Sequence, residues 1–148
     1  MFSNYAKYYV YDQFFELYYN IVESNINFSY MKGSVDRMTG LSYTLQVLGK
    51  PIEIQLSDTG RGINVLIAGG DSAHIGAVSI ALPGEPVVTH EFEGHRDSAV
   101  SDRWAAVLCE RCASPVVISC GIHYDGITKD QIAAVCSELD SFLENLEL

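Results

Sequence analysis

One change of period governs what this chain can fold into. From Leu41 to Phe92 apolar residues recur at about every second position; from Asp97 onward they recur at helical spacing, interrupted by one short β-branched run. A period of two buries one face of a strand, whereas a period near 3.6 buries one stripe of a helix. The chain therefore divides into a strand-rich half and a helix-bearing half.

In the first half, Leu41, Tyr43, Leu45 and Val47 alternate with polar residues, and after the turn "GKP" so do Ile52, Ile54 and Leu56. That predicts a β-hairpin with one buried face. "SDTGRG" turns into a third strand, "INVLIA"; "GGDSAH" separates it from a fourth, "IGAVSIAL". "PGEP" then leads into "VVTHEF", whose neighbouring proline and charges suit a sheet edge. In the second half, Val100, Trp104, Val107 and Leu108 share one side of a helix that Asp97 or Ser98 can cap. "SPVVISCGI" reads as a buried strand. Thr128 and Gln131 have capping-box spacing, and Ile132, Val135, Leu139, Phe142, Leu143 and Leu146 form one apolar stripe behind them. The expected fold is α+β: a mostly antiparallel sheet of about six strands, a five-strand meander followed by helix, strand and helix, with two helices packed on one face.

Residues 1–40 have a different character. "NYAKYYVYDQFFELYYNIVESNINFSY" holds seven of the nine tyrosines, and Tyr8, Tyr11, Phe15, Tyr18, Tyr19 and Val22 follow helical spacing. Aromatic residues on its other faces are untidy for a monomer surface, and two readings compete: a helix that packs on the domain or a partner, and an extension outside the core fold, which is the one favoured. "MKGSVDRMTG" reads as a linker, so the expected division is an extension at 1–40 and a domain at 41–148.

The formal net charge of −10, with no lysine or arginine cluster, argues against nucleic acid. No apolar run approaches the ~20 residues of a membrane span, and no basic start precedes an apolar core, so the expected setting is the cytoplasm, off the membrane. "CERC" at 109–112 has the spacing of redox and zinc pairs, but it ends a helix rather than opening one. Cys120 and Cys136 fall inside apolar patterns, and all four cysteines read as packing residues.

Connectivity draws three separated loops together. In a hairpin centred on "LPGEP", paired positions sum to about 168, which sets His74 near Gly94 and His95. The helix after His95 runs away from this end, and "PVVISCGI" returns the chain to it, delivering His123. The segments "GGDSAHIG", "EGHRD" and "GIHYDGIT" thus share one rim. Two helix N-termini point there and suit an anion or a phosphate. Asp71, Glu93, Asp97 and Asp125 bring carboxylates, and Arg96 a fixed cation. The candidate binding residues are Gly69, Gly70, Asp71, His74, Gly94, His95, Arg96, Gly121, His123 and Asp125. Plainer readings compete: "GG" makes ordinary turns, His123 can cap the turn that follows, and His90 in mid-strand suits a structural or exposed position. The histidines lack the close spacing of a helical zinc site, so no metal is expected. No G-x-S-x-G, P-loop or dinucleotide fingerprint is present, and no catalytic residue is assigned.

The motifs "GGDSAHIGAVSIA", "GHRD" and "VVISCGIHYDGITKDQI", in this order, resemble the LpdD-like family over residues 41 to 146. Members are described as prenylated flavin chaperones associated with aromatic acid decarboxylases, similar in fold to proteasome assembly chaperones and often paired as dimers. The resemblance implies a non-catalytic accessory protein, a transiently bound prenylated FMN, a homodimer, and an aromatic acid decarboxylase and a flavin prenyltransferase as partners. Two other readings stay open: a hydrolase or lyase built on the histidine and carboxylate cluster, with or without a metal, and an assembly chaperone that grips a partner through a sheet edge or the aromatic segment.

Overall fold

The structure, a computed structural model, describes residues 39–148. The aromatic extension and its expected helix lie outside the described residues, as does the linker up to Met38. Six strands and two helices follow in the order β1 (Thr39–Val47), β2 (Lys50–Asp58), β3 (Ile63–Gly70), β4 (Ala77–Ala81), β5 (Val88–Glu91), α1 (Ser98–Cys112), β6 (Val116–His123) and α2 (Lys129–Asn145). The α+β class, the strand count and the order of elements agree with the sequence reading.

Pairing departs from it at one place. The sheet order is β1-β2-β3-β6-β4-β5, so β6 separates β3 from β4 and the five-strand meander is broken. β6 runs parallel to β3 and antiparallel to β4, the one parallel pairing among the described residues. The physical reason lies in "VVISCG". Val116, Ile118 and Cys120 are buried on the helix side, and Val117 and Ser119 are half-buried on the other. A strand that buries one face and half-buries the other gains more at the centre of a sheet than at its edge. The β4–β5 hairpin forms in the expected register, Ala77 opposite Glu91 and Val78 opposite His90, with β5 at the edge.

Alternation decides which face is covered. Ile52, Ile54, Leu56, Val65, Ile67, Ile118 and Cys120 all point toward the helices and form one core with Trp104, Leu108, Val135, Leu139 and Leu143. Trp104 and Phe142 stack between α1 and α2, and Tyr43 meets Phe142 edge-on from β1. Arg103 spans the two helices to Asp140 and Glu144, and Arg111 donates to the Leu143 carbonyl in the last turn of α2, where a cation suits the helix dipole. A polar knot fastens α1 to the edge hairpin: Asp102 Oδ1 accepts from the hydroxyls of Ser79 and Thr89, and Ser101 Oγ lies 2.7 Å from Ser79 Oγ. The two helices thus cover one face and leave the other open.

The cysteines follow the packing expectation. Cys109 and Cys120 are buried, all four are free, and burial pushes the thiols of Cys112, Cys120 and Cys136 up from their ordinary range.

Candidate functional site

The insertion of β6 builds the site. Because β6 lies between β3 and β4, the connection from Asp71 to Gly76 must cross the carboxyl end of β6 to reach β4. Its backbone lies directly on the strand: the Gly76 amide donates to the Cys120 carbonyl at 2.8 Å, and the Asp71 amide to the His123 carbonyl at 2.6 Å. A Cβ on Gly121 would collide with the His74 backbone, so only glycine lets the strap close down here. The strap holds His74 over the end of β6, beside the turn that precedes α1. In that turn Gly94 takes a positive φ of 83°, and the His95 amide donates to the Phe92 carbonyl.

The rim predicted from connectivity is therefore assembled. His74 Nε2 lies 2.9 Å from His95 Nδ1, and the His74 and His123 rings meet edge-on with centroids 6.3 Å apart. His74, Gly94, His95, Arg96 and His123 line a cavity of about 290 Å³. The other candidates stand beside it in supporting places. Gly69 packs against Pro51 and Ile52, and Gly70 against His123. Asp71 bonds Lys50 Nζ at 2.8 Å and the Asp125 amide at 3.0 Å, and these contacts hold its carboxyl below the usual carboxylate range. Asp125 carries the ring of His123 at 3.0 Å. Arg96 extends into solvent and reaches Glu91, whose carboxyl is drawn down first by the Ser98 hydroxyl and further by Arg96. Glu93 is exposed outside the cavity, and His90 sits on the open sheet face against Phe92.

Asp97 was placed at this rim by sequence but read as a cap and left out of the candidate set. Its side chain makes no cap bond. Oδ1 instead accepts the Ile122 amide at 2.9 Å, and Oδ2 turns to His74 and His95 at 3.4 and 3.7 Å. The second helix is capped as expected, with Thr128 and Gln131 bonding each other's backbone amides.

Sequence reasoning also missed the back of the cavity. Val100, Ile122, Tyr124, Ile127, Ile132, Val135 and Cys136 form an apolar wall. Val135 is core, as its place in the stripe implies, whereas Ile132 in the same stripe is 48% exposed. The available signal was its position: it stands one turn after the cap, and hence at the rim rather than over the sheet. Tyr124 closes the wall by donating to the Val47 carbonyl at 2.8 Å. The result is a cleft with an apolar floor and an imidazole, carboxylate and guanidinium mouth, facing two helix N-termini. Such a cleft suits a ligand with one apolar part and one anionic part.

Comparison with known proteins places the chain in a family. Residues 47–147 match the family model described as the prenylated flavin chaperone LpdD-like domain. Protein LpdD of Lactiplantibacillus plantarum is 29% identical over 104 residues, covering 67% of this chain and 76% of that protein. A solved chaperone complex for yeast 20S proteasome assembly is similar at 15% identity and a TM-score of 0.49, over 72% of this chain and 93% of that one.

Proposed function

We propose that this chain, which belongs to the prenylated flavin chaperone LpdD-like family, is a non-catalytic accessory protein that holds a prenylated FMN in the rim cleft. It would deliver the cofactor to an aromatic acid decarboxylase after a flavin prenyltransferase has made it. One observation carries this reading: the cleft pairs an apolar wall, from Val100 to Cys136, with a mouth of His74, His95, Arg96 and His123. The wall suits the flavin ring or its prenyl-derived part, and the mouth with its helix N-termini suits the phosphate. The free cysteines fit a reducing compartment, and we place the protein in the cytoplasm. Among the described residues, no helix is long and apolar enough to cross a membrane.

The open sheet face supports a second contact. Ile80 and Val88 are exposed there, Val78 and Val117 lie beside them, and Phe92 stands exposed at the rim end of the same edge. An apolar strip on an edge hairpin is suited to burial against a second copy of the chain, and we assign a homodimer to it.

The direct test is titration of the purified chain with reduced prenylated FMN, followed by transfer to an apo-decarboxylase. Saturable flavin binding, weakened by substitution of Ile132 or Arg96, is expected. Absence of binding, together with no gain in decarboxylase activation, would remove the proposal.

A further inference from the structure

His74, His95 and Asp97 are tied together more closely than flavin binding requires. Their facing atoms, His74 Nε2, His95 Nδ1 and Asp97 Oδ2, stand 2.9, 3.4 and 3.7 Å apart. Ligands at about 2.0–2.1 Å from a tetrahedral ion stand roughly 3.3–3.4 Å from one another. The triangle is therefore the size of one face of such a coordination shell. From the structure we infer that these three residues form a divalent-metal site of the zinc class, with its remaining coordination open to the cleft.

The hydrogen bonding around the triangle favours a cation at its centre. The Ser72 carbonyl lies 3.3 Å from His74 Nδ1. A carbonyl can only accept, so in a neutral imidazole the proton sits on Nδ1 and Nε2 presents a lone pair. Asp97 is 91% buried, its side chain being 9% exposed, and the Ile122 amide already occupies Oδ1. That leaves Oδ2 turned toward the rings. One proton between the two imidazoles satisfies them and leaves Oδ2 facing a nitrogen lone pair. A divalent ion satisfies all three atoms at once. Backbone groups that orient an imidazole and a carboxylate in this way are the outer partners metal sites use to fix their ligands.

Space points the same way. A Cβ on Gly76 would overlap Asp97 Oδ2 and come within 3.0 Å of His74 Nε2, so the missing side chain keeps the triangle open. His74 and His95 are 23% and 37% exposed, so an ion has a path from the cleft. Three protein ligands with an open position are the arrangement of a zinc ion that takes a further ligand, rather than of a closed structural site. Two imidazoles and a carboxylate also suit other first-row divalent ions. The histidines are 21 residues apart in the chain, which is why close sequence spacing gave no sign of the site.

The probe is the metal alone. The full chain is stripped with a chelator and dialysed against Zn²⁺, and bound metal is counted. One ion per chain is expected, retained by His90→Ala and by the double variant Cys109→Ser/Cys112→Ser. Asp97→Asn and His95→Ala should each weaken binding by roughly 10–100-fold or more, and His74→Ala/His95→Ala should abolish stoichiometric uptake. Circular dichroism establishes that each variant is folded; His95, the most exposed of the three, carries the test if His74→Ala does not fold. Co²⁺ supplies a spectroscopic readout, with d–d bands and no thiolate charge-transfer band. Uptake below one ion per chain, uptake lost with the cysteine pair, or uptake unchanged by loss of both histidines would overturn the site. No flavin is present in this experiment, so its outcome is independent of the flavin reading.

Discussion

The amide of Ile122 donates to Asp97 Oδ1 across 2.9 Å, tying the carboxyl end of β6 to the residue that precedes α1. This bond joins two segments that line the cleft. Asp97→Ala leaves that amide without its charged acceptor, and a loss of roughly 1.5–3 kcal/mol is expected. Asp97→Asn keeps an oxygen in place and should cost less. Urea unfolding of the two variants separates these outcomes.

Gly121 tests the strap. Alanine there would push the His74 backbone off β6, at a cost of roughly 1–3 kcal/mol. Flavin affinity should fall with it, because His74 leaves the mouth of the cleft. A variant that binds flavin as the parent does would show that the strap is not what shapes the site.

Ile132 lines the cleft while half exposed, so it can be changed without loss of the core. Ile132→Asp removes apolar contact and sets a carboxylate beside the ligand. Loss of one such apolar contact is worth about 1.5 kcal/mol or more, which corresponds to at least ~10-fold weaker flavin binding. The melting temperature should stay close to that of the parent.

The Lys50–Asp71 pair predicts a defined pH response. Asp71 is held below its ordinary value of 3.8, first by Lys50 and then by the Asp125 amide. Its contribution is therefore full above pH 3.8 and is lost as the pH falls below that value. Lys50 is raised above 10.5 by the same partner, so its contribution is lost as the pH rises beyond 10.5. Carbon-detected NMR titration should show the Asp71 carboxyl moving back toward 3.8 in Lys50→Ala. An unmoved titration would mean the ion pair does not persist in solution.

The polar knot under the edge hairpin gives a fourth stability test. Asp102 accepts from both Ser79 and Thr89, and Ser79 is fully buried. Asp102→Ala should cost roughly 1–3 kcal/mol, because two hydroxyls, that of Ser79 in a fully buried residue, lose a charged acceptor. The apolar strip on β4 and β5 depends on this hairpin, so light scattering on the same variant reports whether self-association weakens with it.

Much of this was legible in the chain. Alternation from Leu41 to Phe92 and the helical stripes after Asp97 set the elements, because burial on one side imposes a period that needs no partner to be recognised. The β4–β5 register followed from the turn, and through it the meeting of His74 with the Gly94–His95 turn. The capping box at Thr128 was equally local.

What only the tertiary structure decided is where β6 goes and what Asp97 does. Strand order depends on which strands pair with the two edges of "VVISCG", a comparison between distant segments that no local period encodes. Asp97 has the composition of a helix cap, yet its carboxylate finds the Ile122 amide and two imidazoles only after β6 has slotted between β3 and β4. Periodicity records which side of an element avoids water. The chemistry of a site depends on which polar atoms are left facing one another once those sides have met.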